Sequence, residues 1–348
     1  MHYFGVIGYG GMASYHHKRT QKPAEIQYKA AFDLNPARLE KAEQEGLIAY
    51  KTLEELLADK DIDTVLIATP NNTHKDYAIA AMRAGKNVIC EKPAAMNAGE
   101  FAEMMAAAKE NGVFLTAHQN RRMDADYRIM KRIYDENMLG EVFRIESRVQ
   151  GSRGIADTWR RKKEFGGGML YDWGVHLIDQ LLYMVNSPVV SVYAEFQYIS
   201  QQEVDDNVRL SLTFQNGMSA LVEIGTCNYI MLPLWYMAGK TGTAQIDYWN
   251  LEGRMNLLID NDIKFEDEIP NTLVGPSITL APRSEDTMQV VPLPAAEVDK
   301  GYFYHNLLDV LDNGTEPWVK PEEVLRSMQI VDLAFVSFKE KNVITCNI

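Results

Sequence analysis

Tyr3-Phe4-Gly5-Val6-Ile7-Gly8-Tyr9-Gly10-Gly11-Met12-Ala13 sets a short apolar run directly against a cluster of glycines and ends on a small residue. The run reads as a strand and the glycines as a sharp turn into a helix, the context in which a G-x-G-x-x-G/A pattern acquires meaning. Each position has a physical reason: Gly8 permits the turn, Gly10 lets the backbone approach a pyrophosphate, and Ala13 is small enough for helix to pack on strand. The helix that starts there presents free N–H groups and a partial positive charge to phosphates. Asp33, twenty residues beyond Ala13, ends the second apolar run, where a carboxylate accepts hydrogen bonds from ribose hydroxyls. That placement favours NAD over NADP, with Arg38 near enough to keep NADP as the lesser alternative.

Outward from this turn, short apolar runs alternate with amphipathic segments. Strands are expected at Tyr3 to Ile7, Gln27 to Phe32, Thr64 to Ala68, Asn87 to Cys90 and Val113 to Ala117. Helix ends are legible between them: Asn35-Pro36 supplies a cap and first-turn proline, Thr52 with Glu55 forms a capping box, and Gly85 and Gly112 look like helix stops. The alternation predicts a doubly wound parallel sheet of the Rossmann type over residues 1–120. Beyond it the texture changes. A helix is expected over Asp124 to Asn137, a strand over Glu141 to Gln150, then a glycine-rich loop and a helix. Successive strands follow at Ser191 to Phe196, Val208 to Phe214, Met218 to Thr226 and Leu234 to Ala238, with Asn216-Gly217 as hairpin turn. Residues 121–348 are therefore expected to form an α+β domain on an open, mainly antiparallel sheet, ending in a helix from Pro321 to about Lys339.

A chain of 348 residues exceeds one comfortable core, so two domains with a cleft between them are expected. The formal charge of -13 opposes binding to polyphosphate backbones, which excludes nucleic acid as a natural partner. No apolar run approaches the roughly 20 residues that span a bilayer, and no leader-like segment precedes the first strand. Three cysteines, Cys90, Cys227 and Cys346, have no zinc-knuckle spacing. Together these predict a cytoplasmic protein with no membrane partner.

Glu91-Lys92-Pro93 closes a predicted strand at the carboxyl edge, where open α/β sheets bind ligands, so Lys92 is expected at the cleft. Beside a cationic nicotinamide ring its pKa should fall, fitting it to exchange a proton at neutral pH. Pro93 suits a cis peptide bond. Asp172 and His176 stand four residues apart where a triple glycine enters a helix, which puts both on one face. A histidine with a carboxylate nearby suits proton removal from an alcohol as hydride leaves its carbon. Asp172, His176 and Asp179 also offer metal donors, but no second ligand set is evident, and no metal is expected.

Taken together, the turn at Gly8–Ala13, Glu91-Lys92-Pro93 and the Asp172/His176 pair resemble the glucose–fructose oxidoreductase, inositol dehydrogenase and rhizopine-catabolism group, the Gfo/Idh/MocA family. The resemblance spans nearly the whole chain, with Gly11 a tolerated variation. It implies a catalytic set of Lys92, Asp172 and His176, with His176 as general base and Lys92 orienting or relaying the hydroxyl proton. It implies cofactor contacts from Gly8, Tyr9, Gly10, Gly11, Met12, Ala13 and Asp33, from Thr69, Pro70, Asn71 and His74, and from Glu91, Lys92 and Asn120. Trp159 and Arg160 resemble the family's substrate-side loop, and Arg122 falls where the domains join. The implied activity is NAD-dependent oxidation of a secondary hydroxyl on a sugar, glycoside or cyclic polyol, in a homo-dimer or homo-tetramer assembled through the exposed sheet face. Two alternatives remain open: a glycosidase that oxidises transiently with bound NAD, and a non-catalytic NAD-binding sensor. The basic run Arg153, Arg160, Arg161, Lys162 and Lys163 offers a site for an acidic substrate group, or simply a solvated loop.

Overall fold

Strands β1 (His2–Ile7), β2 (Ile26–Phe32), β3 (Ile48–Tyr50), β4 (Ile62–Ile67), β5 (Asn87–Cys90) and β6 (Leu115–Ala117) form one parallel sheet in the order β3-β2-β1-β4-β5-β6. The computed structural model describes residues 1–19, 24–200, 203–260, 271–273, 275–276, 283, 285–299 and 301–348. Helices α1 (Gly11–Arg19), α2 (Pro36–Gln44), α3 (Leu53–Ala58), α4 (His74–Arg83) and α5 (Ala98–Asn111) make the crossovers. Local chemistry explains their ends. The Asn35 side chain accepts from Ala37 N at 3.0 Å, Thr52 and Glu55 close a reciprocal capping box, and Gly112 takes the left-handed conformation at the end of α5. The order reverses at β1, which pairs with both β2 and β4, so a crevice opens at the carboxyl ends of these strands. The short edge strand β3 was not among the expected ones; three residues are too few to show a period.

After α6 (Ala125–Asp135) come β7 (Val142–Gln150), α7 (Val175–Met184), β8 (Val189–Gln197), β9 (Asn207–Phe214), β10 (Ser219–Gly225), β11 (Trp235–Gly239), β12 (Gly242–Ile246) and β13 (Gly253–Leu258). A small pair, β14 (Asn271–Thr272) and β15 (Gly275–Pro276), stands apart. β16 (Met288–Val291) and the terminal β17 (Ile344–Thr345) complete a nine-stranded sheet in the order β16-β13-β12-β11-β7-β10-β9-β8-β17. Its neighbours are antiparallel except β7 and β10, which run parallel because α7, β8 and β9 intervene as a crossover. Gly217, with φ +86°, turns the β9–β10 hairpin.

Alternation along β9 buries Val208, Leu210, Leu212 and Phe214 and exposes Arg209, Ser211 and Thr213. The buried face packs on α7 and on α9 (Pro321–Glu340) of the same chain, in one core with Ile178, Leu181, Ile330 and Val331. The preceding helix α8 (Tyr302–Asn313) instead carries Phe303, Tyr304 and Leu307 into a core around Phe4 and Val6. Val324 and Met328, early in α9, pack with Ile7 and Val65 on the other face of the first sheet. A helix of this length, ~30 Å at ~1.5 Å per residue, thus reaches both sheets. No described helix is long and apolar enough to cross a membrane.

Candidate active site

At the crevice the glycine turn has two characters. Gly8 has φ +89°, and a Cβ there would stand 2.8 Å from the Ala68 carbonyl oxygen, so the turn tolerates no side chain. Gly10 and Gly11 have no other atom within 4 Å of where a Cβ would be, which leaves a bare backbone floor at the start of α1. This floor and the adjoining helix N-terminus fit the pyrophosphate of a dinucleotide. Asp33 is held at the end of β2, its Oδ2 accepting from Tyr9 N at 2.8 Å and its Oδ1 from Asn35 N at 2.8 Å. Arg38 Nη1 lies 3.4 Å from the same carboxylate and also faces the crevice. The Tyr9 side chain turns inward, donating to Glu45 at 2.6 Å, and that donated bond brings the Glu45 carboxyl down to about 2. Ala13 is buried beneath the floor among Phe4 and Val6.

The crevice opens into a cavity of about 620 Å³. On the side of the first sheet it is lined by Gly10, Gly11 and Met12, by Thr69, Pro70 and Asn71, and by Glu91, Lys92 and Asn120. On the opposite side stand Trp159, Arg160, Gly166 to Gly168, Asp172 and His176. Lys92, Asp172 and His176, distant in sequence, therefore share one cavity. Lys92-Pro93 is cis. The Lys92 Nζ donates to the Asp172 backbone oxygen at 2.7 Å and to its Oδ1 at 2.9 Å, and Arg160 Nε approaches Oδ1 at 3.3 Å. Burial works against the Asp172 charge, but Lys92 and Arg160 outweigh it and hold the carboxyl below its ordinary range.

His176 is 4% exposed, and its Nδ1 lies 3.0 Å from Gln119 Oε1. Burial, followed by the nearby Lys92 and Arg121 charges, pushes its pKa well below the usual histidine value, so the ring is neutral at physiological pH. The expected pairing of Asp172 with His176 is corrected here: no hydrogen bond joins them among the described residues. Residues 170–174 form a π-turn ahead of α7, so the α-helical spacing assumed for the two does not apply across it. Glu91, directly before Lys92, accepts from His16 Nε2 at 2.7 Å and His118 Nδ1 at 2.9 Å. Burial opposes its charge, yet the two imidazoles hold it well below the ordinary carboxylate value.

Besides Gly8, Tyr9 and Ala13, which sit at or beneath the floor, three more assigned positions lie outside the cavity lining. His74 is buried away from the cavity, its two ring nitrogens against Pro93 O at 2.8 Å and Thr69 O at 3.0 Å, so it ties together two loops that line the cavity. Asp33 backs the turn without lining the cavity itself. Arg122 points into the seam between the sheets: it forks onto Asp179 at 2.6 and 2.7 Å, reaches Glu323 at 2.7 Å and stacks on Tyr183. Asp179 is thereby engaged by Arg122. It is the neighbouring Arg121 that lines the cavity, its guanidinium 3.9 Å from the centre of the Trp173 ring. Residues 120–123 form a 3₁₀ turn, in which successive side chains point about 120° apart, so the adjacent arginines diverge, one to the cavity and the other to the seam. Of the basic run only Arg160 reaches the cavity. Arg161 donates to Ile155 O, Lys162 lies 3.6 Å from Glu203, and Arg153 and Lys163 are exposed.

Residues the sequence did not single out also shape the site: Gln119, Arg121, Tyr15 and Trp173, and Asp205, whose carboxylate accepts from Leu170 N at 2.7 Å where the π-turn begins. Only Gln119 and Arg121 had a signal, their place beside Asn120 and Arg122.

Comparison with known proteins finds relatives of both halves of the chain. Residues 3–119 match an oxidoreductase family described by its NAD-binding Rossmann fold, and residues 127–245 match the GFO/IDH/MocA C-terminal domain. A solved structure of an NAD-binding protein from Listeria innocua is 39% identical, with a TM-score of 0.89, over 99% of this chain and 96% of that one. The scyllo-inositol 2-dehydrogenase (NADP(+)) IolW of Bacillus subtilis is 26% identical over 98% of this chain and 94% of its own length. An uncharacterized oxidoreductase of Schizosaccharomyces pombe, C26H5.09c, is 34% identical over 60% of this chain, and the match spans 59% of that protein. A second oxidoreductase of the same yeast, C115.03, is matched over 47% of its length.

Proposed function

Because the chain belongs to the Gfo/Idh/MocA family of NAD-binding oxidoreductases, we propose that it is an NAD-dependent dehydrogenase acting on a secondary hydroxyl of a sugar, glycoside or cyclic polyol. When bound, the nicotinamide supplies the hydride chemistry at the carbinol carbon. The floor at Gly10 and Gly11 receives the pyrophosphate, and the Asp33 carboxylate receives the ribose hydroxyls; a 2′-phosphate there meets like charge. His176 takes the hydroxyl proton in the oxidation and returns it in the reduction. Lys92, fixed by Asp172, donates a hydrogen bond to the same substrate oxygen. The tryptophan walls, Trp159 and Trp173, offer apolar faces to a sugar or polyol ring. Assembly as a dimer or tetramer through the exposed face of the second sheet belongs to the same reading.

The observation that carries this reading is that Lys92, Asp172 and His176 share a single cavity whose floor is the glycine turn. The test is absorbance of reduced nicotinamide while the purified protein and NAD are challenged with inositols, sugars, glycosides and uronates. IolW makes scyllo-inositol the first member of that panel. NADH accumulating in step with substrate loss is the expected outcome. Glycoside cleavage without net NADH identifies the redox-assisted glycosidase instead, and NAD binding with no turnover on any member removes the dehydrogenase reading.

A further inference from the structure

The expected carboxylate partner of His176 is replaced by an amide, and the replacement has a chemical consequence. We propose that Gln119 is a positioning residue that holds His176 in the tautomer with its proton on Nδ1, leaving the Nε2 lone pair for the substrate hydroxyl. The inference rests on the general-base reading of His176 and adds the group that makes the ring competent for it.

An amide carbonyl oxygen can only accept, and Gln119 Oε1 lies 3.0 Å from His176 Nδ1, so the contact is a hydrogen bond only in the tautomer that carries the proton on Nδ1. A neutral imidazole has a single N–H, so Nε2 is an acceptor. Among the described residues no protein group bonds Nε2, and His176 lines the cavity. Gln119 is itself 3% exposed, so water does not compete for its oxygen. Its backbone is pinned: Gln119 N donates to Ala117 O at 2.9 Å and its carbonyl accepts from Arg122 N at 3.3 Å. A carboxylate in the same place would orient the ring equally well but would also stabilise the imidazolium. The neutral amide orients without attracting a proton, and the cations Lys92 and Arg121 around the ring act in the same direction. Free imidazole side chains in water favour the proton on Nε2, so loss of the amide turns a donor, not an acceptor, toward the hydroxyl.

The test needs no substrate in its first arm. Nitrogen-15 spectra of histidine-labelled protein, with His176 assigned by its loss in His176→Asn, report which ring nitrogen is protonated. The wild-type ring is expected to carry its proton on Nδ1. In Gln119→Met, of similar size but without the acceptor, the Nε2-protonated form should become the major one. In Gln119→Glu the Nδ1 proton stays and the ring titrates at higher pH. A wild-type ring protonated on Nε2, or a Gln119→Met ring unchanged, overturns the proposal; should the Met variant fail to fold, the wild-type and Glu spectra still decide it. In the second arm, Gln119→Met should lower kcat by on the order of a hundredfold, the scale of a general base disabled, with NADH affinity within twofold of wild type. Gln119→Glu should retain turnover, with the acidic limb of its pH profile moved upward. If His176→Asn keeps full turnover while the tautomer behaves as expected, the general-base reading fails and the assignment to Gln119 stands. If His176→Asn is inactive and Gln119→Met is not impaired, the assignment fails and the reading stands.

Discussion

The two walls of the cavity are built in different ways. On the first, the lining comes from turns at the ends of parallel strands, at Gly10–Met12, Thr69–Asn71 and Glu91-Lys92. On the second, the groups are side chains on the π-turn and the start of α7, and each is held by a distant partner: Asp172 by Lys92 and His176 by Gln119. A wall of turns suits binding, because rigid N–H groups need no reorganisation. A wall of side chains, each held by its own partner across the seam, suits proton movement, because the partner fixes the charge or orientation of the group it holds. Substitutions in the backbone turns of the first wall should therefore act on cofactor affinity, and those of the side chains that meet across the cavity, Lys92 included, on turnover.

The largest expected effect lies on the second wall. His176→Asn should lower kcat by roughly two to four orders of magnitude, the range of general-base contributions, while NADH affinity by fluorescence titration is unchanged. Turnover within tenfold of wild type would erase the distinction between the walls.

Next comes the seam that joins them. Arg122→Met leaves Asp179, 2% exposed, as an uncompensated buried charge. Such a break costs about 3–5 kcal/mol, to be read as a fall in the urea midpoint; a loss below about 1 kcal/mol would mean that Asp179 escapes burial by another route.

On the first wall, Gly8→Ala forces an L side chain to φ +89° against the Ala68 carbonyl. The strain is on the order of 1–3 kcal/mol and should appear chiefly as weaker NADH binding, with kcat at saturating NAD little altered. An unchanged dissociation constant would show that the turn is not the cofactor floor.

The smallest effect is in pH. Burial, above all, holds both His74 and His176 below their ordinary value of 6.5. The unfolded chain then binds protons that the folded one does not, so their stabilisation is complete above pH 6.5 and fades as pH falls below it. Asp205, raised by burial to about 6, contributes in the opposite direction. The His176 share is therefore isolated by comparison: from pH 7.5 to 5.5 the wild type should lose more stability than His176→Asn. Equal losses would show that the imidazole is not desolvated.

Much of the first wall was legible because it is local. The Asn35 cap, the Thr52–Glu55 box and the Gly112 stop each depend on residues within about one helical turn, and each formed where expected. The Gly8 turn formed where expected too, although its need for glycine is reinforced by the distant Ala68 carbonyl. The β9–β10 hairpin and its alternating face were legible for the same reason. Chain neighbours and residue type thus determined, without help from the rest of the molecule, a parallel sheet ending in a phosphate-binding turn and a second, mainly antiparallel sheet. Tertiary structure alone decided that Arg121 and not Arg122 faces the cavity, that Asp172 serves Lys92 while Gln119 serves His176, and that α9 packs against both sheets. Backbone preference acts over a few bonds, whereas the direction of a polar side chain is settled by which distant donor or acceptor can replace the water it loses on burial.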